Sequence, residues 1–131
     1  MGKIRIVVVE DDPLHMEKVE MAIEQLDYHL ISVSDNADEA LRIIRATKPD
    51  IVLIDINLNG EVDGITLAGK LKETLPMPVI FTISFADKAT IDRAKVTNPY
   101  AYLIKPLEIK SLQAAIELAI YNFINDQVHY T

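Results

Sequence analysis

The chain has 131 residues and a mass of 14.7 kDa, a length that suits one folded domain and is short for two independent hydrophobic cores. Half of its residues are hydrophobic and a quarter are charged, and the absence of cysteine excludes disulfides, thiolate metal sites and cysteine nucleophiles. The net charge of −7 argues against direct binding of nucleic acid or of an anionic membrane surface. No segment has the length and composition of a signal peptide or a membrane span, so we expect a cytoplasmic protein.

Short apolar runs alternate with longer stretches of helical periodicity along the whole chain. Runs rich in β-branched and aromatic residues predict five strands, at Ile4–Val9, Tyr28–Val33, Ile51–Ile54, Val79–Ile83 and Ala101–Ile104. A stretch with helical periodicity follows each strand. The apolar faces of these five predicted helices begin at Leu14, Ala40, Ile65, Ala89 and Ile109. The last stripe ends at Phe123, so the predicted core covers residues 4–123 and residues 124–131 form a C-terminal tail.

This alternation of strands and helices indicates a single α/β domain over residues 1–131. Strands that are apolar throughout are typical of a parallel sheet with helices packed on both faces. Right-handed crossovers restrict such a sheet to few topologies, and its ligands bind beyond the carboxyl ends of the strands. The residues that follow the strands are therefore the candidates for a functional site.

Charged residues follow three of the predicted strands. Glu10 and Asp11 follow the first strand, Asp55 follows the third, and Lys105 follows the fifth. Carboxylates gathered at one edge of a sheet repel one another, and a hard divalent cation such as Mg²⁺ relieves that repulsion. Acidic residues after strands also cap the next helix, a role that suits Asp12 better than the other acids. The set predicts a magnesium site with one ammonium group beside it.

The positions of these charged residues and of the residues around them resemble the receiver domain of two-component response regulators. The matching pieces are Val9–Asp12, Asp50–Leu58, Asp63–Ile65, Pro78–Phe81 and Tyr102–Pro106. Their order and spacing cover about residues 4–123, so the five short motifs together carry a resemblance that none carries alone. The resemblance implies a flavodoxin-like, doubly wound (βα)5 sandwich whose five-stranded parallel sheet has the order 2-1-3-4-5.

The resemblance also implies a role for each charged residue. Asp55 corresponds to the phosphoacceptor, which takes a phosphoryl group from a histidine of a partner kinase or from a small phosphodonor. The groups that hold Mg²⁺ in the family correspond to Glu10, Asp11, Asp55 and the backbone carbonyl of Asn57. Lys105 corresponds to the lysine that pairs with a phosphoryl oxygen. Such a domain is a regulatory switch rather than an enzyme, and it catalyses only its own phosphotransfer and dephosphorylation.

The chain departs from the family where phosphorylation is converted into a change of surface. The family's hydroxyl residue at the end of the fourth strand falls on Ile83, which cannot hydrogen-bond a phosphoryl group. Thr82 and Ser84 flank Ile83 and share the opposite face of the strand, and Ser84, already in the loop, is the candidate substitute. Tyr102 stands where the family keeps an aromatic ring that swings inward on activation. We therefore expect Asp55 to accept phosphate with a weakened or rerouted conformational response.

Two other functions are compatible with the same residues. A pseudo-receiver binds partners without being phosphorylated, and Ile83 is the feature that favours it. An aspartate phosphatase of the haloacid dehalogenase type also uses a strand-end aspartate, Mg²⁺ and a lysine. It requires a second acid two residues after the nucleophile, where this chain has Asn57, which has no proton for the leaving group.

The resemblance implies partners as well. A sensor histidine kinase or a phosphotransfer protein is expected to supply the phosphoryl group. No effector domain follows Thr131, so we expect the output to pass to a downstream effector protein or to a missing output domain. The family often uses its fourth helix, fifth strand and fifth helix for dimerisation or output contacts, which makes a homodimer a further expectation.

Overall fold

The structure, a computed structural model, describes residues 2–129, with side chains through residue 127. In this part of the chain, strands and helices alternate from the first element to the last. The strands are β1 (Arg5–Val9), β2 (His29–Ser34), β3 (Ile51–Asp55), β4 (Val79–Ile83) and β5 (Ala101–Ile104). The helices are α1 (Pro13–Gln25), α2 (Ala37–Thr47), α3 (Gly64–Thr74), α4 (Lys88–Lys95) and α5 (Ile109–His129). The strands form one parallel sheet in the order β2-β1-β3-β4-β5, which confirms the predicted α/β fold.

The main correction to the predicted elements concerns the C-terminus. The helix expected to end at Phe123 continues to His129, so residues 124–129 are helical and do not form the expected tail. Residues 130–131 lie outside the described residues. The segment after Phe123 contains neither glycine nor proline, and the Tyr100 hydroxyl donates to Asp126 Oδ2 at 2.6 Å. Within the described residues, no helix is both long enough and apolar enough to cross a membrane.

The side chains of the sheet enter two hydrophobic layers, one on each face. The layer against α2, α3 and α4 includes Val7, Val52 and Phe81 from the central strands. The layer against α1 and α5 includes Ile6, Leu53 and Ile80. Because both faces are covered, β1 from Ile6, β3 up to Ile54 and all of β4 except Thr82 are apolar, as the sequence pattern predicted.

The approach of α3 to β3 depends on Gly64, the first residue of the helix. A Cβ atom on Gly64 would lie 2.2 Å from the backbone oxygen of Asp55 and 2.9 Å from Cγ2 of Ile54. A side chain at this position therefore requires the helix or the strand to move. Gly69, farther along the same helix, has no atom within 4 Å of its Cβ position.

We predict that Gly64→Ala lowers the free energy of unfolding by about 2–3 kcal/mol, because the added methyl group meets the backbone of β3. The matched control Gly69→Ala raises it by about 0.5–1 kcal/mol, since alanine is the better helix former. Urea denaturation followed by circular dichroism measures both changes. A Gly64→Ala protein as stable as wild type would contradict the close approach of α3 to β3.

Candidate functional site

The carboxyl ends of β1, β3 and β5 bring the predicted charged residues together. Glu10 and Asp55 are each only 3% exposed, and the Lys105 side chain is 4% exposed. Lys105 Nζ forms an ion pair with Glu10 and lies 3.4 Å from Asp55 Oδ2. Asp11 completes an acidic cluster, in which one carboxylate oxygen each from Glu10, Asp11 and Asp55 lies within 4.8 Å of the others.

The two-residue period of the strands explains why these side chains meet. Glu10 follows Val8 by two residues and Asp55 follows Leu53 by two, so both carboxylates continue the layer that faces α1 and α5. Lys105 stands two residues after Leu103, which packs against the same layer. Parallel strands end at one edge of the sheet, so residues with the same parity on these strands are neighbours there.

Backbone N–H groups hold the three carboxylates in position. The N–H of Asp11 donates to Glu10 Oε2 at 3.1 Å. The N–H of Asn57 donates to Asp55 Oδ1 at 2.9 Å, and the N–H of Asn59 donates to Asp11 Oδ2 at 2.9 Å. The loop after β3 therefore orients carboxylates from both β3 and the end of β1.

Burial raises the pKa of Glu10 above its ordinary value. Hydrogen bonds from Lys105 and from the backbone of Asp12 act against this rise, and the neighbouring Asp55 carboxylate adds to it. Because the folded pKa exceeds the unfolded one, Glu10 favours folding at pH values below its unfolded pKa. That contribution is lost as the pH rises through the folded pKa. Ionisation of Glu10 in the folded protein therefore costs stability.

The acidic cluster fits a hard divalent cation by the chemistry of its ligands. All three groups are carboxylates, the donors that Mg²⁺ and Ca²⁺ prefer in proteins. Two of them are buried and one is half-buried, so few water molecules screen their mutual repulsion. Among the described side chains, this is the one cluster of three potential metal ligands.

The hydroxyl residues beside Ile83 lie in different surroundings. Ile83 is 8% exposed and belongs to the layer against α2, α3 and α4. Thr82 pairs in register with Asp55, so the two side chains share a face, and Thr82 lines a small cavity together with Glu10 and Lys105. Ser84 lies just after β4, is exposed, and donates its hydroxyl to Asn57 Oδ1 at 3.2 Å. Thr82 and Ile83 thus lie on opposite faces of β4, as the alternation of side chains along a strand predicts, whereas Ser84 lies outside the strand.

Tyr102 lies on β5 beside the end of β4. It pairs in register with Phe81, and the two rings stack with their centroids 6.1 Å apart. The Tyr102 side chain remains partly open to solvent, at 37% exposure. One side of the ring thus packs on a buried side chain while the rest of it faces solvent.

Sequence analysis missed the contact of His15 with the site. His15 Nδ1 lies 3.4 Å from Lys105 Nζ and 3.1 Å from Asp12 Oδ2. The start of α1 is the feature of the sequence that indicates this contact, because a helix that begins at Pro13 keeps His15 close to the end of β1. The side-chain contacts of Asn57 were also missed, and no local pattern indicates them because its partners are 27 and 28 residues away.

Comparison with known sequences agrees with this geometry. The profile of the response regulator receiver domain matches residues 6–117. The transcriptional regulatory protein PdtaR of Mycobacterium tuberculosis is 31% identical over 120 residues, which are 91% of this chain and 58% of that protein. The positive alginate biosynthesis regulatory protein of Pseudomonas aeruginosa is 33% identical over 118 residues, 88% of this chain and 47% of that protein. The chain thus spans about half the length of these relatives.

Solved structures give the same result for the fold. The signal receiver domain of a modulated diguanylate cyclase from Desulfovibrio desulfuricans G20 superposes with a TM-score of 0.89 at 37% identity, covering 93% of this chain and 97% of that one. A CheY-like receiver domain protein from Methanospirillum hungatei JF-1 superposes with a TM-score of 0.85 at 23% identity, covering 96% and 99%, and shows the fold alone. The profile match over residues 6–117, together with the sheet order, shows that this chain belongs to the response regulator receiver domain family of two-component systems, which is regulatory in kind.

Proposed function

We propose that this chain is a phosphorylation-dependent switch in which Asp55 accepts a phosphoryl group. The observation that carries the proposal is the position of its carboxylate, 3.4 Å from the Lys105 ammonium and within 4.8 Å of the carboxylates of Glu10 and Asp11. Asp55 is the nucleophile in this arrangement, and Lys105 offers positive charge to an incoming phosphoryl group.

The transfer is a displacement at phosphorus. An Oδ atom of Asp55 attacks the phosphorus of a phosphohistidine on a partner protein. The P–N bond breaks as the P–O bond of an acyl phosphate forms, and the electron pair of the broken bond returns to the imidazole nitrogen. Later, water attacks the same phosphorus, the P–O bond to Asp55 breaks, and inorganic phosphate leaves. Such transfers have a loose transition state, so positioning and positive charge supply most of the catalysis.

The residues that we assign to Mg²⁺ are Glu10, Asp11, Asp55 and the backbone carbonyl of Asn57. When bound, the ion would supply positive charge that stabilises the charge of the transferring phosphoryl group. Lys105 pairs with Glu10 in this structure, and we assign its ammonium to a phosphoryl oxygen of phosphorylated Asp55. The acidic cluster of carboxylate ligands supports the metal assignment.

The switch is proposed to involve the ends of β4 and β5. Tyr102 is the aromatic ring that we expect to move, and it stacks on Phe81, which precedes Ile83 by two residues in the neighbouring strand. Ile83 has no hydrogen bond to offer, so we assign the hydroxyl contact with the phosphoryl group to Ser84. The Ser84 hydroxyl would have to leave Asn57 Oδ1 to make that contact.

The partners follow from the same proposal. A sensor histidine kinase or a phosphotransfer protein supplies the phosphoryl group. The segment from the end of β4 to β5, which includes Tyr102, has on its surface the exposed apolar side chains Phe85, Val96 and Ile104. We assign this surface to the output partner, which is an effector protein, an output domain of a longer chain or a second copy of this chain. The greater length of the two relatives supports a further domain in proteins of this kind.

A second candidate function, that of a pseudo-receiver, is favoured by the apolar Ile83. A pseudo-receiver would bind its partner equally well as wild type and as Asp55→Asn. The aspartate phosphatase alternative has less support, because the Asn57 side chain donates to the Phe85 carbonyl and has no acidic proton.

We predict that incubation with acetyl phosphate and Mg²⁺ adds one phosphoryl group to the wild-type protein. Asp55→Asn abolishes the addition, because an amide is a poor nucleophile in place of the carboxylate. Asp12→Asn is labelled like wild type, since Asp12 caps α1 and lies outside the acidic cluster. Intact-protein mass spectrometry measures the added mass. An unlabelled wild type, or an Asp55→Asn variant labelled to the same extent as wild type, would overturn the assignment of Asp55.

Mg²⁺ at about 100 times its dissociation constant is predicted to raise the free energy of unfolding by about 2.7 kcal/mol, as for any ligand that binds only the folded state. Asp11→Asn loses most of this gain because it removes an anionic ligand. Asp12→Asn keeps the gain and keeps an N-cap for α1. Urea denaturation with Mg²⁺ and with EDTA measures the difference. Equal stabilisation of all three proteins would place the ion away from the acidic cluster.

A further inference from the structure

The side chain of Asn57 connects the loop after β3 to the segment that follows β4. Its Oδ1 atom accepts hydrogen bonds from the backbone N–H of Ser84 at 3.3 Å, the Ser84 hydroxyl at 3.2 Å and the backbone N–H of Phe85 at 3.3 Å. Its Nδ2 atom donates to the backbone oxygen of Phe85 at 2.7 Å. Four hydrogen bonds from one amide thus hold two consecutive residues of the next loop.

The same residue is bound to Asp55 through its backbone. The N–H of Asn57 donates to Asp55 Oδ1 at 2.9 Å. Ile56, which separates the two, is buried and donates its own N–H to the backbone oxygen of Thr82 at 2.9 Å. A change at the Asp55 carboxylate therefore reaches Asn57 through a short segment that β4 restrains.

The segment held by Asn57 leads directly into α4. Asp87 caps that helix by accepting the N–H of Thr90 at 2.8 Å. Of the α4 residues, Ala94 is the one that is buried, and an ion pair from Arg93 to Asp63 adds a partly exposed contact at 3.0 Å. With so small a buried face, the position of α4 depends strongly on the loop before it.

We propose that the Asn57 side chain is the positioning residue that couples the state of Asp55 to the loop before α4. This proposal rests on the proposed function of Asp55 as phosphoacceptor. The side chain of Ile83 is apolar and buried in the opposite layer, so it has no hydrogen-bonding group with which to link the site to this loop. A phosphoryl group adds about two negative charges next to the Asn57 N–H. A shift of that N–H carries the amide with it and moves the backbone of Ser84 and Phe85, through the three bonds that remain when the Ser84 hydroxyl turns to the phosphoryl group.

The proposal is tested by NMR of the full chain with Mg²⁺ and beryllofluoride, a mimic of the phosphoryl group, at saturating concentration. In wild type, we expect the amide signals of the site loop at Asn59 and those of residues 85–91 to shift together. In Asn57→Ala, the Asn59 amide still responds, whereas the shifts of residues 85–91 fall to less than about half, because the four side-chain bonds are lost. Shifts of residues 85–91 as large as those of wild type would overturn the proposal.

Two further variants separate coupling from a general loss of structure. Asn59→Ala is the matched control, since Asn59 is an exposed asparagine in the same loop whose bond to Asp11 comes from its backbone, and its response equals that of wild type. Asn57→Asp keeps an acceptor for three of the four bonds and is expected to restore most of the response at residues 85–91. A response as small as that of Asn57→Ala would contradict a role for the accepted bonds.

Amide hydrogen exchange without any phosphoryl mimic keeps this proposal separate from the proposed function. Phe85 is expected to exchange about fivefold faster in Asn57→Ala than in Asn59→Ala, because its N–H loses its acceptor. Equal exchange rates would overturn the role of Asn57 even if Asp55 is phosphorylated. A third outcome is that beryllofluoride shifts no amide of the wild type while exchange at Phe85 still differs between the two variants. In that case the assignment of Asp55 fails. The Asn57 contacts are then purely structural, and the coupling proposal is overturned as well.

Discussion

The ion pair between Lys105 and Glu10, with Asp55 3.4 Å from the same ammonium, is the interaction on which the functional edge of the sheet depends. All three side chains are almost completely buried, and a buried charge without a partner costs several kcal/mol. The Lys105 ammonium lies beside both acids and offsets part of their charge. Burial nevertheless raises the pKa of Glu10, because it outweighs the hydrogen bond from Lys105. With Asp11 included, this edge holds three carboxyl groups beside one ammonium group.

Hydrogen bonds from backbone N–H groups also hold this charged edge together. Each carboxylate of the cluster accepts a backbone N–H from the loop that follows β1 or β3. Gly64 lets α3 begin against the backbone of Asp55, so the two ends of the loop between β3 and α3 lie close together. The two hydrophobic layers fix the strands, and the strands in turn fix where these loops start. A site built in this way keeps its acids close together even though they repel one another.

The end of β4 is the position at which we expect this chain to differ from the pattern of its family. Ile83 fills a hydrophobic layer and leaves the end of β4 without a hydroxyl at that position. Thr82 faces the site but lies beneath it, beside Glu10 and Lys105, whereas Ser84 is held by Asn57. The hydrogen bonds of Asn57 thus join the loop after β3 to the loop before α4. The helix that follows this loop, α4, buries only Ala94 among its residues.

The amino-acid sequence by itself determined the α/β fold, the strand ends to within one residue and the residues of the acidic cluster. It could do so because strands covered on both faces are apolar throughout and because parallel strands end at one edge. The sequence did not indicate that α5 continues to His129, since the polar residues after Phe123 carry no stop signal and the Tyr100 bond to Asp126 is formed only in the fold. Only the tertiary structure decided the contacts of His15 with Lys105 and of Asn57 with Ser84 and Phe85. Their partners are distant in the chain, and the packing of separate loops, rather than any local periodicity, brings them within hydrogen-bonding distance.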